Sequence, residues 1–388
     1  MRAMIHELSD LSVFEITDHF FAQAHAMPPE FYGDLVIDLY SIEEGKEIAL
    51  LTLLHPNPAV RDIVVETLDQ LLNDITLSAV SLSRLRMIQQ WYPKDYHPQF
   101  EQWITNQRKK GVVFYKPPPA SLVSVHATEV DSISTQGLFI HFKIHHKHQL
   151  CGILLNANHG IKDAWISDVL SLKDIRGYQR EAIKTSFQMR PVDNAYLSIV
   201  NHFLSVMIAR GRLPDLHFLA IEEALGMHWR PQPLNVKEVL EQLAVNKTPF
   251  TPAQITDALR HSKTWPRKKP YTESWYLESA EIDKLVNQCC SFIDGIKVCQ
   301  FEKAMEAVFT QIIETHREQW VFHFLWVSLW LQSKRKKKET MGSDSFFIAY
   351  IIQTAVIPIN TIPIMRAICY HSVLNSIETM HERGTYLT

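Results

Sequence analysis

The sequence predicts a mainly α (α+β) protein, with a helical N-terminal unit, a small antiparallel β-sheet insert and a larger C-terminal helical domain. Three observations predict it. Apolar residues recur at three- and four-residue spacing in 60–72 and again in 196–208, the pattern of helices that bury one face. Between them, Leu138, Ile140, Phe142 and Ile144 alternate with Phe139, His141 and Lys143, the two-residue period of a half-buried strand. The stretch Lys116-Pro117-Pro118-Pro119 parts the two patterns, being stiff and unable to join helix or sheet. Regions at 1–116, 117–170 and 171–388 follow.

A chain of 388 residues exceeds one ordinary hydrophobic core and calls for two or three cooperative units. With 46% apolar and 21% charged residues it can bury those cores, which excludes wholesale disorder. A net charge of −3 excludes the overall basic field of sequence-independent nucleic-acid binders, so nucleic acid is not the expected partner. The five cysteines, an odd count, contain no C-x-x-C, and Cys289 adjoins Cys290. Neither a disulfide framework nor a zinc ribbon is expected, and a reducing compartment is. Glu7, Asp10, Glu15 and Asp18 interrupt the N-terminus where a secretory signal needs an apolar run, so the expected location is the cytoplasm. Nineteen histidines give a mild sensitivity of charge below neutral pH, to which no function is attached.

Residues 11–45 hold two helices separated by Met27-Pro28-Pro29. In Lys46–Leu72 an apolar helix meets a corner at Pro56 and Pro58, because proline excludes its predecessor from helical geometry. In the following helix Val60, Ile63, Val64, Leu68, Leu71 and Leu72 share a face, with Asp62, Glu66, Asp69 and Gln70 opposite. Leu53, Leu54, Pro58, Val60, Arg61 and Leu68 resemble the apolar helix, corner and Val-Arg start of a HEAT repeat. That resemblance covers 46–72. It implies a unit that stacks on neighbours and offers a surface to partners, with Arg61 supporting the corner. Residues 78–110 supply a degenerate second pair of helices. Over its whole length the chain looks like an uncharacterised bacterial protein, a likeness that no functional motif carries.

After the proline run, strands are expected at Leu138–Ile144, Leu150–Leu155 and Ile161–Ile166. Turns fall at His145-His146-Lys147-His148 and Asn158-His159-Gly160. From Ser171 helices return. Tyr196, Ile199, Val200, Phe203, Leu204, Met207 and Ile208 form an apolar face that Gly211 caps. Asn235 with Glu238, and Thr251 with Pro252 and Gln254, read as capping-box starts. Trp320–Leu331 reads as a core helix, and 345–365 as a buried helix followed by an extended connection.

The leading functional expectation is a non-enzymatic protein-binding, adaptor or scaffold protein whose groove between helices accepts another protein. Its candidate contacts are Arg61 and the aromatic residues Phe322, Trp326 and Trp330, spaced one turn apart. The competing expectation is a membrane-associated factor. It would use the uncharged run 345–365, with Lys334, Arg335, Lys336, Lys337 and Lys338 just outside it. These five, together with Arg267, Lys268 and Lys269 between Trp265 and Tyr271, are the candidate phosphate or lipid contacts. His141, His145 and His148 are the candidate metal ligands, since converging imidazoles suit a borderline ion. A third reading is an enzyme or metal protein centred on this region, with His159, Lys162 and Asp163 on one rim. No G-x-S-x-G elbow, P-loop, dinucleotide glycine pattern or cysteine-nucleophile signature accompanies it, and with 12 glycines no cofactor is expected and the balance leans away from an enzyme.

Overall fold

Local capping chemistry sets where many of the helices begin. The structure, a computed structural model, describes all residues except 1, 185–188, 247–250, 269–271, 273, 294–295, 335–339 and 383–388. Along the chain run α1 (Arg2–Glu7), α2 (Val13–Gln23), α3 (Tyr32–Tyr40), α4 (Lys46–Leu51), α5 (Pro58–Leu71), α6 (Ala79–Gln89) and α7 (His97–Lys109). Strands β1 (Ala120–Ala127), β2 (Thr135–Ile144), β3 (Lys147–Asn156) and β4 (Gly160–Ile166) follow, then α8 (Leu172–Lys184) and β5 (Arg190–Val192). Next come α9 (Val200–Ala209), α10 (Leu216–Leu225), α11 (Val236–Asn246), α12 (Pro252–Ser262), α13 (Trp265–Lys268) and α14 (Ala280–Gln288). The hairpin of β6 (Cys290–Ile293) and β7 (Ile296–Cys299) precedes α15 (Phe301–Val308), α16 (Arg317–Ser333), α17 (Met341–Thr354) and α18 (Pro363–Glu382). The protein is thus mainly α with a small antiparallel sheet and a helical C-terminal domain, and the sheet has strand order β4-β3-β2-β1-β5.

Ser12 and Glu15 form a reciprocal capping box on α2, and Thr251 and Gln254 form one on α12, each satisfying two otherwise orphaned backbone donors. Asn57 caps α5 with Pro58 as its first helical residue. Asn235 Oδ1 accepts from the Glu238 amide at 3.2 Å.

The chain divides into two compact units. The first comprises 1–125, 138–178 and 198–233, and the second 126–137, 179–197 and 234–388. This differs from the three regions read from the sequence. Strands β1 and β2 each have residues assigned to both.

In the first unit, Leu50, Leu51, Leu53, Val64, Leu68, Leu82, Leu85, Ile88 and Phe100 are fully buried. The two apolar helices expected at 46–72 are present, but the first is short and tightens into a 3-10 turn at Thr52–Leu54. Its partner α5 packs on α3. Strand β4 lies so close to α9 that a Cβ on Gly160 would come within 2.4 Å of the Phe203 carbonyl oxygen. Gly160 also has φ +76°, so only glycine suits both demands.

One buried cation organises this unit. Arg84 on α6, 4% exposed, donates from Nε and Nη2 to the two carboxylate oxygens of Glu223 on α10 at 2.6 and 3.1 Å. Its Nη1 reaches Glu47 on α4 at 3.0 Å, and its guanidinium lies 4.7 Å from the Phe14 ring centre on α2. The adjacent Glu222 has the opposite fate. It is 1% exposed and accepts the Trp229 amide at 2.8 Å, and burial pushes its carboxyl up to about 8.

In the second unit, α16 and α17 are apolar on all sides, as helices surrounded by protein must be. Phe324, Trp326, Val327, Phe346, Ile348, Ile351 and Ile352 are fully buried. The two helices approach closely at Gly342, where a Cβ would meet Leu331 and Gln332 side chains at 3.0 Å, and the Ser328 hydroxyl donates to the Gly342 carbonyl at 2.7 Å. A polar thread crosses this core. Gln136 Oε1 accepts from the Tyr196 hydroxyl at 2.7 Å and from Trp326 Nε1 at 3.1 Å, while Gln136 Nε2 donates to the Thr128 carbonyl at 2.8 Å.

Two expectations are corrected here. The run 345–365 is not a spanning segment: α17 ends at Thr354, Ala355 turns the chain with φ +50°, and α18 starts at Pro363. Among the described residues no helix is long and apolar enough to cross a membrane, and the apolar side chains of the run that face inward, such as Ile362 and Met365, are spent in the core. The cysteines also depart from the all-thiol expectation, because the β6–β7 register sets Cys290 opposite Cys299 and the two form a disulfide. Cys151, Cys289 and Cys369 stay free and buried.

Three outcomes follow. Arg84→Met should destabilise the first unit by about 2 kcal/mol in denaturant titration, below the full cost of breaking a buried pair because Glu47 and Glu223 keep some water. Gln136→Leu should cost about 2–3 kcal/mol in the second unit by stranding buried donors and an acceptor. For Glu222 the folded state keeps a proton that the unfolded chain, near 4.5, releases. Its contribution therefore falls as pH rises between those values and levels off above about 8. Glu222→Gln should remove that part of the decline, seen as a thermal midpoint raised relative to wild type at roughly pH 9, raised less at roughly pH 6, and not raised at roughly pH 4.

Candidate functional site

The first unit holds a cleft of about 730 Å³ between α1, α2, α3, α4 and the start of α6. Its floor is apolar, with Ile5, Ile16, Ile48 and Leu77 almost wholly buried. Its rim is polar and carries both signs of charge, from Arg2 and His6 on α1 to Glu43, Glu44, Lys46 and Glu47 around the start of α4. The amphipathic α2, fixed by its capping box, supplies Val13 and Ile16. Ser78, the N-cap of α6, supplies a hydroxyl.

Most rim groups are already matched. Lys46 pairs with Glu43. Glu47 accepts from Arg84 and, through its other oxygen, from the Ser78 hydroxyl at 3.4 Å. Ser78 is engaged with Glu47 and Ser81 rather than with an imidazole, so it is not set up as a nucleophile. Of the buried polar groups here, Tyr40 is the exception. It lines the cleft at 6% exposure, and its hydroxyl has no hydrogen-bond partner among the described residues. Burial raises its pKa, so the phenol stays protonated and remains a donor. The site offers apolar contact, hydrogen-bond donors and acceptors, and charges of both signs, which is binding chemistry.

The sequence-derived candidates are distributed differently. Arg61 is buried and donates to the carbonyls of His55 at 2.9 Å, Pro56 at 3.0 Å and Gly211 at 3.3 Å. It therefore ties down the corner and is not presented to a partner. Trp326 and Trp330 are likewise core residues at 0% and 2% exposure, with Phe322 half-buried against Trp326. An all-round apolar helix presents no docking face, which removes these residues as partner contacts.

Of the candidate metal ligands, His141 and His148 meet across the β2–β3 hairpin with Nε2 and Nδ1 3.0 Å apart. His145 sits exposed in the turn at φ +57° and does not join them. Among the described residues no group of three His, Cys, Asp or Glu side chains could hold a metal ion. The turn residue, pulled into the left-handed region, leaves the strand alternation that would have set His145 beside His141. His159, Lys162 and Asp163 are all exposed on the β3–β4 turn and β4, and the cleft has none of them in its wall.

Arg267 is exposed on the short α13, and Lys334 is exposed just after α16. Lys269 and Arg335, Lys336, Lys337 and Lys338 lie outside the described residues, as does the side chain of Lys268. The sequence reading missed Tyr40, Glu44 and Glu47. The run Glu43-Glu44-Gly45-Lys46-Glu47 is a visible cluster of charge, whereas nothing local marks Tyr40, whose place depends on helices from four segments of chain.

Comparison with known proteins adds two matches. Residues 237–377 match the domain family described as the Y4lR C-terminal helical domain, and residues 28–111 match the Y4lR second domain. The helix pair at 46–72 falls within the second match. The chain is also 26% identical over 250 residues to the uncharacterized protein y4lR of Sinorhizobium fredii (strain NBRC 101917 / NGR234), across 63% of this chain and 45% of that protein. The chain thus spans less than half the length of that relative. No solved structure matches.

Proposed function

We propose that this is a non-enzymatic binding protein, of adaptor or scaffold type, whose first unit receives a segment of another protein in the 730 Å³ cleft. The observation that carries the reading is a cleft with an apolar floor and a polar rim, lined also by Tyr40, whose buried hydroxyl has no partner among the described residues. A buried donor left unmatched costs about 1–3 kcal/mol, a cost that an incoming carbonyl oxygen would relieve. A peptide segment has that chemistry. Its backbone supplies carbonyls, one or two apolar side chains fit over Ile5, Ile16 and Ile48, and flanking charged residues meet a rim of mixed sign. The HEAT-like helix pair contributes α4 to this cleft, and helical units of that kind serve as surfaces for partners. Membrane insertion through 345–365 is not part of the reading, since the helical parts of that run pack into the second unit's core and among the described residues no helix is long and apolar enough to cross a membrane.

Photo-crosslinking in the native host tests it. A photoreactive residue at Ser9 or Glu44 on the rim should give a discrete adduct with one host protein, absent when the label is at Lys162. That protein, purified, should bind the wild-type chain and lose about tenfold or more in affinity to Ser9→Trp, which fills the cleft. Tyr40→Phe should weaken binding too while leaving the stability to unfolding unchanged or slightly raised, because the lost hydroxyl had no partner to lose. Equal labelling from Lys162, or undiminished binding by Ser9→Trp, would reject the cleft as the docking site.

A further inference from the structure

A second, smaller cleft in the first unit has a different character. It encloses about 270 Å³ beside α6, the stretch 114–117 and the chain that follows α10. Arg86, Arg230 and His228 line it, with Ser83, Gln90 and the ring of Tyr115. Two guanidinium groups thus share a concave site with hydrogen-bonding side chains and an aromatic face.

Among the described residues the two arginines there, Arg86 and Arg230, are not engaged in ion pairs. The acid that lines this cleft is Glu223, and both its carboxylate oxygens are taken by Arg84. Glu101 lies on the far side of Phe114, in a shallower neighbouring cleft with Arg86 and Arg108, and it pairs with neither. Arg86 and Arg230 are near enough to His228 that both depress its pKa below the ordinary value, after the larger effect of burial. His228 is accordingly neutral at pH 7 and serves as a hydrogen-bonding group rather than a third cation.

The walls are held in place before any ligand arrives. The Tyr115 amide donates to the Ser83 hydroxyl at 2.8 Å and to the Ala79 carbonyl at 3.2 Å, which fixes the stretch 114–117 along α6. The Arg230 amide donates to Asn201 Oδ1 at 2.9 Å. The guanidinium of Arg86 rests 4.8 Å from the Phe114 ring centre, and that of Arg108 5.7 Å from it. Stacking of this kind restrains an arginine while leaving its N–H fork free for an anion. Like charges held together without a counter-ion are costly in isolation and favourable once an anion sits between them.

We propose that this cleft binds a small organic phosphate, with Arg86 and Arg230 holding the phosphoryl oxygens and the organic group lying against Tyr115, Met87 and Pro117. Phosphate is favoured over a single carboxylate because a monoester carries close to two negative charges on three terminal oxygens, matching two guanidinium charges where a carboxylate matches one. The volume accommodates a phosphate monoester with a group of about one aromatic ring. The inference stands apart from the protein-binding reading, which concerns a different cleft.

Isothermal titration of the full chain with phenyl phosphate, inorganic phosphate and benzoate tests it. Phenyl phosphate should bind saturably at one site, about tenfold or more tighter than either benzoate or inorganic phosphate. Affinity should fall as salt is raised. Arg86→Ala and Arg230→Ala should each weaken it by about tenfold or more, and Arg86→Lys should restore part of the loss at most, because a point charge does not replace a fork. Both arginines are exposed, so these variants should keep wild-type unfolding midpoints, which separates lost binding from lost fold. Lys162→Ala should change nothing. Absence of saturable binding of phenyl phosphate, benzoate binding equally well, or full affinity in both arginine variants would overturn the proposal.

Discussion

The first unit is organised around a buried positive charge. Arg84 draws carboxylates from α4 and α10 and an aromatic ring from α2 onto one guanidinium on α6, and a charge with so little access to water must be paired where it lies. Those partners come from residues 14, 47 and 223, so one side chain sets the mutual placement of helices far apart in sequence. Both clefts inherit their character from it. Its hold on Glu47 places that carboxylate on the rim of the larger cleft. Its hold on Glu223 engages both carboxylate oxygens of the acid that lines the smaller cleft.

The second unit is organised by the opposite means. Helices α16 and α17 carry almost no charge where they meet, and their approach is decided by shape, with Gly342 leaving room for the Leu331 and Gln332 side chains and Ser328 donating to the Gly342 carbonyl. Burial of such surface stabilises by about 25 cal/mol per Å² of apolar area but carries little directional information. Direction comes from the few polar groups inside. The Gln136, Tyr196 and Trp326 cluster satisfies its members only in one arrangement, which fixes how the helix lies against residues brought from 136 and 196.

Much of the fold was legible locally. Helix starts at Thr251 and Pro58 and the strand pattern at 138–144 are written in residues whose backbone geometry or period leaves few alternatives. The core role of 320–331 was legible for the same reason, because an unbroken apolar surface has no side to turn to water. Candidate residues fared less well. Arg61, Trp326 and Trp330 have the chemistry of interface anchors, but the same chemistry serves a buried corner and a packed helix, and only burial separates the two uses. His141, His145 and His148 are close in sequence, yet a single left-handed residue in the turn at His145 sends one ring away from the other two. Cys290 and Cys299 are unremarkable as spacing and become partners through strand register.

By itself the sequence determined that the chain is mainly helical, where a sheet interrupts it, and that its net charge is close to balanced. Those properties arise from short-range geometry and from sums over residues, neither of which needs to know which segments meet. The tertiary structure alone decided which charges are matched and which are left over. Arg84 and Arg86 are two residues apart on one helix, but one faces Glu223 in the interior and the other an open cleft. Whether a side chain is a structural tie or a free binding group depends on what stands opposite, and what stands opposite is set by packing between distant parts of the chain.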